Sequence, residues 1–283
     1  MSSSKPVVLV TGCSAGGIGY ELCVAFARAG CRVFATARRA EAMAGLEAHG
    51  CTLLTMDVTS DASVKAAVAK VVSESGGLDY VINNAGVGQV GPLAELPLER
   101  LRSVFETNVF SLVRVTQACV PHMVGHARPA VVVNVASVVG LVSTPLGGAY
   151  SSSKAAVVSL SDALRVELRP YNVRVVTLCP GAIRSRIADN ASQRLDLDAL
   201  KLYAPFKAAV LARATASQSH KSTPTDEFAR YVVATVMRPN PPALFLYGHM
   251  SLLFRILQWL PRFIRDKLLA KRLGLNVNVS GSL

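Results

Sequence analysis

Apolar residues in this chain fall into short continuous runs separated by longer stretches of helical period. Val7-Val8-Leu9-Val10, Tyr80-Val81-Ile82, Val131-Val132-Val133 and Val173 to Cys179 are compact and β-branched, as strands buried on both faces require. The pattern predicts strands near 6–10, 31–36, 51–56, 78–83, 130–136, 173–179 and 243–247. Helices are predicted over roughly 18–29, 39–48, 61–74, 98–126, 149–169 and 225–237. Strands alternating with helices predict an α/β fold, a doubly wound parallel sheet with helices on both faces. With 283 residues and 51% hydrophobic content, the chain can bury such a core as a single domain. We expect it to end near residue 248, with residues 249–283 as an extension.

The first strand run leads into Thr11-Gly12-Cys13-Ser14-Ala15-Gly16-Gly17-Ile18-Gly19, and a helical pattern starts at once. A strand, a glycine-rich turn and a helix N-terminus make a phosphate site, because unpaired backbone N–H groups point at the anion and glycine permits close approach. At the first strand–helix junction this reads as a Rossmann-like dinucleotide site. Asn83-Asn84-Ala85-Gly86 follows a second strand and Pro180-Gly181 a third, which puts all three motifs at the carboxyl edge of one sheet.

Tyr150 and Lys154 are four residues apart on a predicted helix and share one face. A lone phenol, with a pKa of about 10, is a poor acid or base at neutral pH, and a nearby ammonium favours its phenolate. Ser137 ends the run that precedes this helix, where its hydroxyl can meet the same substrate oxygen. A bare Tyr-x-x-x-Lys is commonly a solvated pair; its neighbours give this one weight.

Together these motifs resemble the short-chain dehydrogenase/reductase family over residues 5 to 248. The resemblance implies Tyr150 as general acid/base, Lys154 as its modulator and ribose ligand, and Ser137 as stabiliser of the alkoxide. It implies that Asn108 completes a proton relay through Lys154 and water. It also implies cofactor contacts from Gly12, Ser14, Gly17, Ile18, Gly19, Asp57, Val58, Asn84, Ala85, Gly86, Pro180, Gly181, Ile183 and Ser185. The usual family loop has one residue fewer between Gly12 and Gly17, so Ser14, Ala15 or Gly16 is extra here. The spelling of the loop is similar to that of NADPH-dependent 1-acyldihydroxyacetone-phosphate reductases, and less so to hydroxysteroid and retinol dehydrogenases.

After the second strand, Ala37 stands where an acidic residue would bind a ribose 2′-hydroxyl, and Arg38 follows. A guanidinium there can pair with a 2′-phosphate, with Ser14 or Arg39 assisting, so NADPH is the expected cofactor. Residues 186–222 match the segment that covers the substrate in the family. They mix leucines and aromatics with Arg186, Arg194, Lys201, Lys207 and Arg213, which suits a lipophilic or amphiphilic carbonyl substrate.

The net charge of +12 lacks a basic tract with interleaved aromatics, so no nucleic-acid partner is expected. Its local source is 250–273, where six cations stand against one acid among large apolar residues. Ser251, Arg255, Gln258 and Arg262 form a polar stripe there, as on a helix lying at a lipid interface. The same segment suits a cover for the cleft or the interface of a homodimer. No signal peptide is read at the N-terminus, and the protein is expected in the cytoplasm, peripheral on endoplasmic reticulum or lipid droplets. The six scattered cysteines read as reduced thiols, and the sequons at Asn190 and Asn278 carry no weight without secretion. His122 and His126 have helical metal-ligand spacing but lack the glutamate of a zinc motif, so no metal is expected. The sequence therefore predicts an NADPH-dependent reductase of a lipophilic ketone. A steroid or retinol dehydrogenase and a non-catalytic NADP(H)-binding protein on a lipid surface are the alternatives.

Overall fold

The computed structural model of the protein describes residues 5–125, 130–193 and 195–278. Seven parallel strands form one sheet: β1 (Val7–Thr11), β2 (Arg32–Ala37), β3 (Thr52–Thr55), β4 (Tyr80–Asn83), β5 (Ala130–Val135), β6 (Val173–Pro180) and β7 (Leu244–Tyr247). Their order is β3-β2-β1-β4-β5-β6-β7, so the direction of winding reverses between β1 and β4. In open α/β sheets ligands bind outside the carboxyl ends of the strands at this switch point. Every residue of β1 and β5 is buried, which is why both read as nearly continuous apolar runs.

Two layers of helices cover the sheet. On one face α1 (Ile18–Arg28) packs against α9 (Thr225–Val236), and fully buried Phe26 and Phe228 belong to that core. The other face carries α2 (Asp61–Ser75), α4 (Ser111–Cys119) and α6 (Gly148–Glu167), with Val64, Val115 and partly buried Leu164 packed against the strands. Each such side chain contributes about 1.5–3 kcal/mol on burial. The chain also forms α3 (Leu98–Phe105), α5 (Val138–Leu141), α7 (Arg186–Gln193) and α8 (Lys207–Ala214), and α10 (Ser251–Leu257) and α11 (Arg262–Arg272) follow β7.

Two predicted helices differ in the structure. The stretch 39–48 folds as two short 3₁₀ turns, Ala40–Met43 and Glu47–His49, rather than one helix. Gly45 between them takes a left-handed φ of +96°, and the turns bury Met43 and Leu46 completely. The stretch 98–126 is not continuous either. It splits into α3, a π-turn over 106–110, and α4, then tightens to a 3₁₀ turn at Pro121. Proline lacks the N–H that would continue an α-helix, and Gly125 has φ of +80°. His126 lies outside the described residues, as does Arg194.

Beyond β7 the chain folds back. Phe254 and Leu257 are buried against Val138, Val139 and Val157, so α10 shares the core with the residues next to Ser137. All six cysteines are buried free thiols. No helix among the described residues is long and apolar enough to cross a membrane.

Candidate active site

The glycine-rich turn after β1 is held from the neighbouring strand. Thr11 Oγ1 accepts from the backbone N–H groups of Asn84 (3.0 Å) and Ala85 (2.9 Å), and the Asn84 amide nitrogen donates to the Thr11 (2.8 Å) and Gly12 (3.1 Å) carbonyls. Gly12 has φ of +73°, and a Cβ there would sit 2.8 Å from the Ala85 Cα. Gly19 is more confined still, with the Asn84 amide nitrogen and the Gly12 carbonyl each 2.5 Å from where a Cβ would be. These glycines are therefore required by packing at the strand switch. Gly17 caps α1 with no side-chain hydrogen bond, so the first N–H groups of the helix, Ile18 and Gly19 among them, remain available to an anion. The lengthened part of the loop bulges outward. Ala15 N–H bonds the Ala42 carbonyl, Gly16 has φ of +73°, and the Arg186 side chain lies across it while its backbone N–H donates to the Gly16 carbonyl. Ser14 is exposed on this bulge.

Asp57, just after β3, accepts from the backbone and hydroxyl of Thr59, and these bonds, with the charges of Arg38 and Arg114, hold its carboxyl below the usual range. Val58 beside it is buried. Arg38 is exposed at the end of β2, near enough to act on Asp57 and without an ion pair among the described residues.

Ser137, Tyr150 and Lys154 lie across the switch point from the glycine loop. Ser137 follows β5 and its hydroxyl accepts from Val139 N–H, capping α5, while lying 3.5 Å from the Pro180 carbonyl. Tyr150 is on the first turn of α6, and Lys154 lies one turn further with its Nζ 5.7 Å from the Tyr150 ring centroid. That ammonium donates to the Val135 carbonyl at 2.8 Å. Burial pushes the Lys154 pKa down to about 8. Burial also raises the Tyr150 phenol above its ordinary value, opposed by hydrogen bonding with Ser137 and by the charge of Arg213. Lys154 is not among the groups that shift the phenol.

Asn108 is buried in the π-turn. Its carbonyl accepts from Val87 N–H (2.8 Å), and its amide nitrogen donates to the Val87 carbonyl (3.0 Å) and the Ser153 hydroxyl (3.0 Å). A Cβ on Gly86 would meet Asn108 Oδ1 at 3.2 Å and Lys154 Nζ at 3.5 Å, so Asn108, Gly86 and Lys154 converge on one floor. Gly181 leaves no room either, since a Cβ there would collide with the His249 carbonyl, while Ile183 and Ser185 are buried just beyond.

Several supporting residues, Asn83 apart, carry no sequence motif. Asn83 donates to Thr116 (3.0 Å) and to Asn134 (2.9 Å), whose amide donates to Ser161 on α6 (2.9 Å). This buried chain fixes α6, and with it Tyr150 and Lys154, to the sheet. Beyond Asn83, the asparagine inside the valine run of β5 was its visible signal. Glu95 accepts from the backbone N–H groups of Lys201, Leu202 and Tyr203 and so pins the covering segment. Leu146, in the loop before α6, is buried with a strained φ of +60°.

The sequence profile of the family described as short chain dehydrogenase matches residues 6–196. The chain belongs to that family. It is 34% identical over 280 residues to a short-chain dehydrogenase/reductase of Pestalotiopsis microspora, covering 98% of this chain and 97% of the relative. It is also 34% identical over 212 residues to an NADPH-dependent 1-acyldihydroxyacetone phosphate reductase of Schizosaccharomyces pombe, covering 74% of this chain and 71% of that one. Among solved structures, a short-chain dehydrogenase/reductase from Burkholderia phymatum in complex with NAD superposes with a TM-score of 0.75 at 27% identity, covering 100% and 99% of the two chains. This short-chain dehydrogenase is thus an oxidoreductase of the nicotinamide-dependent kind, on a single Rossmann-like domain. Its own geometry fits that group: a glycine cradle that a Cβ would fill, an uncapped helix N-terminus for the pyrophosphate, and a Tyr–Lys–Ser cluster across the switch point.

Proposed function

We propose that this protein is an NADPH-dependent reductase of a lipophilic ketone, with 1-acyldihydroxyacetone phosphate as the substrate. The observation that carries the reading is the Ser137–Tyr150–Lys154 cluster, Ser137 and Lys154 buried and Tyr150 half-buried, together with an apolar cluster in the segment around Arg213. Val90, Leu146, Val210 and Ala214 are buried there, with Leu197, Leu200 and Tyr203 packed on them. The bound cofactor supplies the hydride. Ser137 donates a hydrogen bond to the substrate carbonyl, and Tyr150, whose raised pKa keeps it protonated at neutral pH, gives its proton to the developing alkoxide. Lys154, on the floor it shares with Asn108 and Gly86, would donate hydrogen bonds to the ribose, and Asn108 fixes the floor from which a proton returns. Arg38, exposed beside Asp57 and lacking an ion pair among the described residues, pairs with the 2′-phosphate.

Purified protein should oxidise NADPH with acylated dihydroxyacetone phosphate at least ten times more efficiently than with steroid ketones or retinal. Replacing Ala37 with Asp and Arg38 with Gln should move the ratio of NADPH to NADH specificity constants towards NADH by roughly 10–100-fold, the worth of a charge-assisted pair. Steady-state kinetics with both cofactors check it. A ratio that does not move refutes the role of Arg38, and steroid or retinal turnover above that of the phosphorylated lipid refutes the substrate.

The exposed side of the C-terminal segment supports docking on an anionic lipid surface. Leu252 (71% exposed), Ile256, Trp259 (82%), Phe263 and Leu268 face outward, interleaved with Arg255, Arg262, Lys267, Lys271 and Arg272. Apolar residues rimmed by cations match headgroups over acyl chains, at about 1 kcal/mol for each nearby cation. Such docking would hold the protein on a cytoplasmic membrane or droplet surface. Because Phe254 and Leu257 are core residues, removal of the segment would confuse docking with stability. Replacing Leu252, Trp259 and Phe263 together with Gln should leave the melting temperature within about 2 °C and abolish co-sedimentation with anionic vesicles. Wild-type protein that stays in the supernatant at low salt would refute the docking.

A further inference from the structure

We propose that Arg213 forms an anion subsite beside the reacting carbonyl and selects substrates whose phosphate or carboxylate lies close to the ketone. The inference rests on the reading of Tyr150 as the proton donor and adds a specificity residue to it.

Arg213 comes from α8 in the covering segment, yet its guanidinium points down to the first turn of α6. Its Nε and one terminal nitrogen donate to Thr144 Oγ1, at 3.2 and 3.0 Å. The same terminal nitrogen lies 2.9 Å from where a Cβ on Gly147 would be, so glycine at the cap of α6 makes room for it. Its charge reaches Tyr150, three residues further on, and pulls the phenol pKa down.

This placement is electrostatically incomplete. The partner is a neutral hydroxyl, and no carboxylate pairs with Arg213 among the described residues. Gly147 provides no side-chain cap, so the guanidinium stands at the positive end of the α6 dipole. Holding a half-buried cation beside a second positive pole is unfavourable unless an anion joins it. Nothing in the described protein supplies that anion, whereas a substrate reaching Tyr150 can. The apolar wall of Val210 and Ala214 belongs to the same helix, so α8 presents a cation towards the carbonyl and aliphatic surface beside it. A ketone bearing an anionic group on an adjacent carbon and an acyl chain on the other side fits both.

The test compares an acylated dihydroxyacetone phosphate with the same ester lacking its phosphate, as substrates for wild type, R213Q and R213K in the presence of NADPH. Wild type should prefer the phosphorylated ketone. R213Q should lower the ratio of the two kcat/KM values by roughly 10–100-fold, mostly through KM of the phosphorylated ketone, with NADPH affinity and melting temperature retained. R213K should restore part of the ratio. Equal losses on both substrates would show a structural role and overturn the proposal. Wild-type preference for the neutral ester would overturn it while leaving the reductase reading intact. Should neither ketone turn over, the reductase reading falls. Calorimetric binding of the phosphorylated ketone to the NADPH-loaded protein then decides the subsite: weakening by R213Q upholds it, and no change overturns it.

Discussion

Tyr150→Phe should lower kcat by about 10³-fold with a good ketone substrate while NADPH affinity stays within a few-fold, because only the proton donor is lost. Phenylalanine keeps the ring, so packing against Lys154 and the neighbouring core survives and the folded protein should be recovered in normal yield. The phenol titrates above its ordinary value, burial outweighing the opposing effects of Ser137 and Arg213. At neutral pH it is therefore an acid with its proton in place, suited to reduction. Rising pH should depress reduction before it depresses alcohol oxidation, which needs the phenolate. The measurement is kcat from pH 7 to pH 11 in both directions for wild type, with the variant assayed at neutral pH. Near-normal reduction by Tyr150→Phe would show that another group protonates the carbonyl.

Which parts of this site could be read in the sequence follows from how local their physics is. The glycine loop, Asn84, and the spacing of Tyr150 and Lys154 are set within one strand–turn–helix unit, so they are legible without the rest of the chain. The strands were legible too, since burial on both faces forces continuous apolar runs such as 131–133. The helix expected over 39–48 failed because propensity gave no hint that Gly45 must turn left-handed for Met43 and Leu46 to reach the core. The long helix expected over 98–126 failed at the π-turn. One extra residue in a turn leaves no compositional trace, although it is what carries Asn108 inward.

Long-range partners were the least visible. Arg213 stood in the sequence as one cation among several in a weakly patterned segment. Its relation to Tyr150 exists only once α8 folds over the cleft, with Glu95 pinning the chain ahead of it. The C-terminal segment divides in a way that sequence periodicity left open. Its apolar residues serve two surfaces, Phe254 and Leu257 facing the core and Trp259 and Leu252 facing out. A helical wheel gives the direction of a side chain but not what stands opposite it.

Lys154→Met should separate activity from stability. The lysine is buried to 3% exposure, and its pKa is held near 8 against an ordinary 10.5, chiefly by burial, with Cys179 opposing. A depressed lysine pKa means that folding disfavours the charged form. Below about pH 8 both folded and unfolded chains carry the proton and the penalty is present in full. Between about pH 8 and 10.5 the folded protein has released its proton while the unfolded chain keeps it, so this group adds stability as pH rises. A shift of this size corresponds to about 3 kcal/mol. Methionine removes that penalty but leaves the Val135 carbonyl without its 2.8 Å partner, a loss of about 1–3 kcal/mol that offsets much of the gain. The variant should therefore melt at or slightly above the wild-type temperature at pH 7, with the difference turning against it by pH 10 as wild-type Lys154 neutralises. Its kcat should fall by at least about 100-fold and NADPH binding should weaken, since the cation on the floor shared with Asn108 and the ribose donor are lost together. Thermal melts of both proteins at pH 7 and pH 10, with NADPH titrations, make the check. A variant clearly less stable at pH 7, whose deficit does not change with pH, would show that Lys154 is held as a structural donor and not as a strained catalytic charge.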